Sequence, residues 1–432
     1  MGVLRASWVL PVEGEPSAGG AVAVGADGRV AAVGPAAAVS CAPGGEVVEL
    51  GEAAVLPGLV NVHGHPELTA LRGAVEDLPF IEWLRALTRR KYEEMSPDET
   101  RDSTVQGVAE AAAAGVTTLA APDDGGHLAD ALARAGMRGV VYREVFGPDP
   151  REWRQAFERG RERVEKMRAR ATDLVRVGVS PHAPYTVAEP LLRAVADWAG
   201  GEGLPVCIHI AESAAEDRFV RMGSGELADY YRGRGIPVEA RGVSPVEWLS
   251  RCGLLATRPL LVHCVRADAT DLDRIAGAGA AVAHCPVSNA RLGHGIAPLT
   301  EMRARGLRVG LGSNSVVSGN RIDLLEEARV AGLLQRASRS DPTIWPAREL
   351  LRLATLGGAE ALGLEDRIGS LRPGKEADLT VVSLTGPHVR PVHDPAAAII
   401  HASRGSDVAW TMVRGRTLYR RDPRGSPGGS VA

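Results

Sequence analysis

The chain has 432 residues, of which 45% are hydrophobic and 24% are charged, a balance typical of a globular protein with a large core. Its 50 basic and 53 acidic residues give a formal net charge of −3, so charge offers no basis for binding nucleic acid or an anionic membrane. The amino-terminal residues lack the apolar centre of a signal peptide, and no apolar run approaches the length of about 18 residues that a membrane helix needs. Five cysteines without a CxxC pair favour a reducing compartment. We therefore predict a soluble cytoplasmic protein.

The two ends of the chain share a β-rich pattern. Near the amino terminus, GGAVAVGADGRVAAVG contains two alternating apolar runs around a turn, which is typical of a β-hairpin. Near the carboxyl terminus, PGKEADLTVVSL and DVAWTMVRGRTLYR are apolar runs separated by Gly and Pro. These patterns predict one small β-sandwich domain that is built from residues 1–56 and 372–432.

Residues 57–371 follow a different pattern. Short runs rich in Val, Ile and Leu, typical of buried parallel strands, are separated by segments with helical apolar spacing. Eight strands that are each followed by a helix predict an α/β fold, a (β/α)₈ TIM-like barrel, whose active site lies at the carboxyl ends of the strands. The predicted strands cover residues 59–63, 116–120, 139–146, 175–179, 205–210, 260–265, 280–284 and 307–312.

Histidines occur at three of these strand ends. His63 and His65 form an HxH pair, and side chains two residues apart on a strand point to the same side. His209 ends the fifth strand, with Glu212 three residues later, and His263 ends the sixth. Each histidine alone could be a hydrogen-bonded core residue. Together, at one end of one barrel, they predict a divalent metal site with a carboxylate beside it.

Six motifs in chain order support this interpretation. LPGLVNVHGH, VSPHAPYT, HIAES, VHC, AHCPVSNARLGHGIAP and GLGSNS resemble the motif series of the amidohydrolase superfamily. They are most similar to the branch that contains S-adenosylhomocysteine/methylthioadenosine deaminases, aminodeoxyfutalosine deaminases and triazine hydrolases. The resemblance covers nearly the whole chain. It implies a barrel with a single metal ion and a sandwich made from both termini.

The resemblance implies a role for each matching residue. His63, His65 and His209 would bind one divalent metal ion, with Zn²⁺ as the first choice and Fe²⁺ as the alternative. His263 would lie beside the attacking water, and Glu212 would carry a proton from that water to the ring nitrogen and the leaving amine. The implied reaction replaces an exocyclic amine by oxygen and releases ammonia.

Three further residues are predicted to contact the substrate. The resemblance places His182, in SPHAPYT, against the substrate, and Glu82, in PFIEWL, at a ribose hydroxyl. It places Arg143, at the end of the third strand, in the pocket. For Glu82, a position on the exposed surface of a helix is an equal alternative. For Arg143, the equal alternative is a structural ion pair at the strand end. Relatives often form dimers or tetramers, so the resemblance also implies a homo-oligomer.

One position departs from the motif series. After the eighth strand the superfamily has an Asp that binds the metal and the attacking water, whereas this chain has Asn314 in GLGSNS. An amide has nearly the shape of a carboxylate but carries no negative charge and no basic oxygen. We predict that Asn314 occupies this metal-ligand and catalytic position with impaired activity. This Asn is either a deliberate replacement of Asp, made so that a bound substrate stays intact, or a natural variant.

Three functions are open at this point. The leading hypothesis is deamination of an adenine-type nucleoside derivative, such as aminodeoxyfutalosine, S-adenosylhomocysteine, methylthioadenosine or adenosine. The second is hydrolysis of another small N-heterocycle, such as a triazine or a pterin. The third is a non-catalytic binding protein, and Asn314 alone motivates it.

Overall fold

The structure is a computed structural model that describes residues 2–421. Residues 1 and 422–432, which belong to the predicted terminal domain, lie outside this range. Within it, sixteen strands form three sheets.

Both ends of the chain contribute to one mixed sheet. Its strands are β1 (Val3–Val9), β2 (Ser17–Val24), β3 (Val30–Pro35), β4 (Val47–Glu49), β5 (Ala53–Pro57), β14 (Leu379–Ser383), β15 (Val408–Val413) and β16 (Arg416–Arg420). The strand order is β16-β15-β14-β5-β1-β2-β3, and β4 pairs with β1. The two ends meet where β5 pairs with β14 in antiparallel register, with Val55 opposite Val381. The predicted association of the termini is therefore present as a shared sheet.

The middle of the chain forms two four-stranded parallel sheets, with orders β6-β7-β8-β9 and β10-β11-β12-β13. All eight predicted strands are present, and their ends differ from the prediction by at most three residues. Their side chains are almost all buried, as expected for parallel strands covered on both faces. The strands are β6 (Leu59–Asn61), β7 (Val116–Asp123), β8 (Arg138–Val145), β9 (Val175–Pro181), β10 (Cys207–Ile210), β11 (Leu260–His263), β12 (Ala281–His284) and β13 (Arg308–Leu311).

Single parallel bridges connect the edges of these two sheets. One joins Val179 to Val206, and the other joins Gly64 to Asn314. Beside the second bridge, the backbone N–H of Val62 donates to the carbonyl of Leu311 at 3.0 Å. The segments after β6 and β13 are therefore held against each other by backbone contacts.

Helices follow most of the central strands. The α-helices are α1 (Phe80–Arg89), α2 (Pro97–Ala113), α3 (Leu128–Ala135), α4 (Trp153–Arg168), α5 (Glu189–Glu202), α6 (Ala214–Met222), α7 (Glu226–Gly233), α8 (Pro245–Arg251), α9 (Ala269–Ala278), α10 (Pro286–Arg291), α11 (Leu299–Ala304), α12 (Val316–Gly319), α13 (Leu324–Arg339), α14 (Ala347–Arg352), α15 (Gly358–Ala361) and α16 (Pro395–Ala397). The 3₁₀-helices cover Ala36–Ala38, Pro66–Leu71, Leu254–Thr257 and Gly405–Asp407, and π-helical turns cover Arg90–Glu94, Leu353–Gly357 and Ala398–Ala402. Among residues 2–421, no helix is both long and apolar enough to cross a membrane.

A buried ion cluster connects the central strands to the terminal sheet. Arg138, at the start of β8, is 1% exposed, and its Nε donates to Oδ2 of Asp378 at 2.9 Å. Arg138 also pairs with Glu376, which accepts a second bond from Nε of Arg414 at 2.8 Å. Burial alone would raise the pKa of Glu376, but Arg414, Arg138 and the nearby Arg367 lower it to about 2. The cluster therefore holds the buried Glu376 carboxylate in its charged form.

Replacing Arg138 by Met should lower the free energy of unfolding by about 3–5 kcal/mol, because two buried carboxylates lose a partner. Arg101→Met is the matched control, since Arg101 pairs with Asp98 at 2.6 Å on an exposed surface, and such pairs contribute less than about 1 kcal/mol. Urea unfolding of both variants measures the difference. Equal decreases in the free energy of unfolding for the two variants would contradict a structural role for the cluster.

Candidate metal centre

Four histidines meet at the carboxyl ends of the central strands. His63 and His65 follow β6, His209 lies on β10, and His263 ends β11. The ring centroid of His63 lies 4.9 Å from those of His65 and His209 and 6.0 Å from that of His263. Three stretches of chain that are far apart in sequence therefore bring their imidazoles into one cluster.

One close group of donor atoms differs from the predicted ligand set. Donor atoms of His63, His209 and His263 lie within 4.8 Å of one another, whereas the resemblance implied His65 in place of His263. The ring of His65 is nevertheless stacked 5.8 Å from that of His209. The donor-atom distances therefore favour the set with His263.

Hydrogen bonds distinguish the four rings. Both nitrogens of His263 lie close to protein oxygens: Nδ1 is hydrogen-bonded to Oδ1 of Asn289 at 2.8 Å, and Nε2 lies 3.3 Å from Oε1 of Glu212. His65 uses only Nδ1, which lies 3.2 Å from Oε1 of Glu67. His209 likewise has Nδ1 at 3.0 Å from the carbonyl oxygen of His182. A histidine ligand typically donates from one ring nitrogen to a carbonyl or carboxylate and binds the metal with the other, which favours His65 over His263 as a ligand.

His63 is the most unusual of the four. Its side chain is fully buried, and neither ring nitrogen has a hydrogen-bond partner among residues 2–421. Burial lowers the pKa of His63 well below its ordinary value, as do the neighbouring His209 and His65. Burial and the adjacent His182 also lower the pKa of His209. Neutral buried imidazoles with free lone pairs fit a divalent cation of the Zn²⁺ type.

Glu212 lies beside the histidine cluster. It follows β10, and its backbone N–H donates to Oε2 of Glu216 at 2.8 Å. Its Oε1 lies 3.3 Å from Nε2 of His263 and 3.4 Å from Nε2 of His294. Burial alone would raise the pKa of Glu212, but His263 and His294 hold it below its ordinary value. The site therefore contains a buried, ionised carboxylate that lies 3.3 and 3.4 Å from the nitrogens of two imidazoles.

Asn314 is fixed against the HxH pair by its backbone. Its N–H donates to the carbonyl of His63 at 3.0 Å, and the N–H of His65 donates to its carbonyl at 3.2 Å. Its φ of 52° lies in the left-handed region, which Asn and Asp adopt more readily than most residues. The side-chain Nδ2 donates to Oγ of Ser288 at 2.7 Å. The predicted fourth ligand position is thus adjacent to His63 and His65.

A cavity of about 780 Å³ opens onto this cluster. His65, His209, Glu212, His263 and Asn314 line it at one end. Its volume lies in the range of small-molecule sites. The cluster is therefore accessible to a substrate of nucleoside size.

The three predicted substrate contacts differ in their placement. His182 and Arg143 line the cavity. Glu82 is exposed on α1 and is not among the lining residues, so its position does not support a ribose contact, and the exposed-surface alternative describes it better. The carboxylate that does lie near His182 is Glu144, with Oε1 at 3.9 Å from Nε2. Burial raises the pKa of Glu144 to about 7 and lowers that of His182 to about 3.

Several residues of the site were not predicted as functional. Glu144 follows Arg143 directly at a strand end, and that position could have marked it. Asn289 and His294 belong to the quoted motif AHCPVSNARLGHGIAP, and they contact His263 and Glu212, respectively. The sequence offers no comparable indication for Glu67, which contacts His65.

Comparisons with known proteins show the family to which the chain belongs. The sequence pattern of the Amidohydrolase family matches residues 54–418. A protein of Syntrophobacter fumaroxidans named 5-methylthioadenosine/S-adenosylhomocysteine deaminase is 36% identical over 403 residues, which cover 92% of this chain and 88% of that protein. A crystal structure of an adenosine deaminase from Xanthomonas campestris with bound zinc has a TM-score of 0.83 at 30% identity, covering 96% of this chain and 92% of the other.

A zinc complex of the atrazine chlorohydrolase TrzN from Arthrobacter aurescens also has a TM-score of 0.83, covering 97% of this chain and 95% of the other, but its 23% identity supports a shared fold alone. The family match spans most of the chain and confirms the resemblance seen in the motifs. The chain belongs to the amidohydrolase family.

Proposed function

We propose that this protein is a metal-dependent hydrolase that removes the exocyclic amine of an adenine-type nucleoside and releases ammonia. The observation that carries the proposal is the meeting of neutral, buried imidazoles with an ionised, buried Glu212 at one end of the cavity. The 36% identity to the deaminase of Syntrophobacter fumaroxidans supports the choice of reaction and of substrate class.

We assign the metal ligands as His63, His65 and His209, with Asn314 at the fourth position. Imidazole donors favour Zn²⁺, with Fe²⁺ as the alternative. When bound, such a cation supplies a Lewis acid that makes water a nucleophile near neutral pH. The buried, deprotonated state of His63 and His209 keeps their nitrogen lone pairs available for it.

Proton transfer is assigned to Glu212. In the overall reaction, water adds to the amine-bearing ring carbon, the carbon–nitrogen bond breaks, and the products are a ring carbonyl and ammonia. Glu212 takes one proton of the attacking water and delivers it to the ring nitrogen. It then takes the second proton, from the newly added hydroxyl, and delivers it to the leaving amine. The Nδ1–H of His263 donates to Oδ1 of Asn289, which fixes the ring with Nε2 at 3.3 Å from Oε1 of Glu212. Once Nε2 carries a proton, the ring stabilises the developing negative charge.

The proposal extends to the fold. We infer that the two parallel sheets close into a (β/α)₈ barrel of residues 57–371 and that residues 1–56 and 372–432 form a separate β-sandwich domain. The single bridges at Val179–Val206 and Gly64–Asn314 support closure. A homo-oligomer and a cytoplasmic location remain predictions from the sequence.

Zinc binding should depend on His63. Replacing it with Ala removes the ring that has no other partner, so zinc affinity should fall by at least about 100-fold. His401→Ala is the control, because His401 is exposed on the π-helical turn Ala398–Ala402, far from the cluster in the chain. Competition with a chromophoric chelator measures both affinities. Equal affinities for the two variants would refute the ligand assignment.

Asn314→Asp should raise the rate of ammonia release from an adenine nucleoside by orders of magnitude. The carboxylate adds a negative charge beside the cation and a basic oxygen beside the water, both of which the amide lacks. Asn320→Asp is the control, since Asn320 also has a positive φ of 61° but contacts Glu76 rather than the histidines. Unchanged rates would show that position 314 lacks the assigned role. Tight nucleoside binding without ammonia release by either form would favour a binding protein.

The wall of the cavity that carries Arg143 favours a substrate with an anionic tail. Arg143, Arg159 and Arg163 all line the cavity, and within residues 2–421 none of them pairs with a carboxylate. Burial and the charge of Arg163 lower the pKa of Arg143, although Asp123 opposes this effect. An anion placed there would remove the repulsion between the guanidinium groups.

Arg143→Met should therefore raise KM for S-adenosylhomocysteine by about 10–100-fold, the loss of one charge-assisted hydrogen bond. KM for methylthioadenosine, which has no carboxylate tail, should change much less. Steady-state kinetics of the Arg143→Met change, made in the Asn314→Asp form, measures KM for both substrates. A parallel rise for both would place Arg143 at the nucleoside rather than at its tail.

A further inference from the structure

Glu67, Lys91 and Asp124 form a largely buried charged cluster that contacts Nδ1 of His65. Oε1 of Glu67 lies 3.2 Å from Nδ1 of His65 and 3.2 Å from Nζ of Lys91. Nζ of Lys91 lies 3.2 Å from Oδ1 of Asp124, whose Oδ2 accepts a hydrogen bond from Oη of Tyr92 at 2.5 Å. The side chains of Glu67, Lys91 and Asp124 are only 6%, 11% and 13% exposed. One carboxylate oxygen is thus shared between a histidine of the site and a buried ammonium group.

Three separate segments build this cluster. His65 follows β6, Glu67 lies on the 3₁₀-helix Pro66–Leu71, Lys91 lies on the π-helical turn Arg90–Glu94, and Asp124 follows β7. Turns of π-helix are rare and occur frequently at functional sites. Here the turn places Lys91 and the adjacent Tyr92 so that both reach Asp124. The cluster therefore depends on an irregular turn outside the motifs of the metal centre.

We propose that Lys91 is a positioning residue for the metal centre and acts on His65 through Glu67. The inference rests on the proposed function, because it requires His65 to bind the cation. Lys91 and Asp124 fix the Glu67 carboxylate, and Glu67 accepts the Nδ1–H of His65. That bond holds the proton on Nδ1, fixes the plane of the ring and leaves the Nε2 lone pair for the cation.

The geometry explains why Glu67 alone is insufficient. The same oxygen, Oε1, serves both His65 and Lys91. Without Lys91, Glu67 is a buried carboxylate that has lost its ammonium partner, and such a group gains free energy by turning towards water. The cavity beside His65 offers that route. Rotation of Glu67 would release Nδ1 of His65 and allow the ring to change tautomer and orientation.

A purely structural cluster would behave differently, and the chain contains a matched comparison. Lys375 is also buried, with Nζ at 3.2 Å from Oε2 of Glu13 and 2.6 Å from Oγ of Ser370. It lies just before β14 of the terminal sheet. Removing either ammonium group should destabilise the fold, but only Lys91 should alter metal affinity.

The test is the zinc dissociation constant of the full chain, measured by competition with a chromophoric chelator alongside thermal unfolding. Lys91→Met should weaken zinc binding by about 10–100-fold, the usual effect of losing a group that supports a ligand. Lys91→Arg keeps the charge and should retain most of the affinity. Lys375→Met should lower the melting temperature and leave the affinity unchanged. Wild-type affinity in Lys91→Met, or equal losses in both Met variants, would overturn the positioning role.

Glu67→Gln provides a second test if Lys91→Met does not fold. It keeps the size of the side chain but removes the charge that holds Lys91, so zinc affinity should fall to a similar extent. Because both residues act through one hydrogen bond, the double variant should bind zinc no more weakly than Glu67→Gln alone. Additive losses would show that Lys91 acts by another route.

His63→Ala in the same titration separates the two proposals. Loss of zinc binding in His63→Ala with wild-type affinity in Lys91→Met would overturn the positioning role alone. Wild-type affinity in His63→Ala would overturn the metal centre on which this role rests.

Discussion

The site depends on one physical constraint: uncharged imidazoles are buried, and one of them has no hydrogen-bond partner within residues 2–421. A buried polar atom without a partner costs free energy, and His63 has two such nitrogens within the described chain. Protonation does not relieve the cost, because burial and the adjacent His209 and His65 disfavour a charged ring. A cation that accepts a nitrogen lone pair does relieve it. The same explanation fits His65 and His209, each of which has a hydrogen bond at only one ring nitrogen within residues 2–421.

The fold meets this constraint with backbone contacts. Parallel strands bring their carboxyl ends to the same edge of a sheet, so His209 and His263 lie side by side. The bridge between Gly64 and Asn314 connects the two sheets and brings His63 to the same place. Asn314 is fixed through two backbone hydrogen bonds to the HxH pair, independently of its side chain. The framework can therefore accept either Asn or Asp at this position, and the difference between them is one of charge.

The sequence was sufficient for the central strands and for the meeting of the histidines, because buried parallel strands have a clear apolar pattern and their ends must align. The sequence was insufficient where the packing of helices determines which side chains are buried. A motif placed Glu82 near the substrate, but its face of α1 is exposed, and which face a helix buries depends on tertiary contacts. The cluster of Glu67, Lys91 and Asp124 depends on a π-helical turn that no local pattern predicts. The choice between His65 and His263 likewise depended on hydrogen-bond partners.

Anomalous diffraction at the zinc absorption edge, from crystals grown with Zn²⁺, tests the central claim most directly. The account predicts one strong peak about 2.0–2.1 Å from a ring nitrogen of each of His63, His65 and His209, with Glu212 close to it but not bound. A peak held by Glu144 and His182, or the absence of any peak at the strand ends, would contradict it.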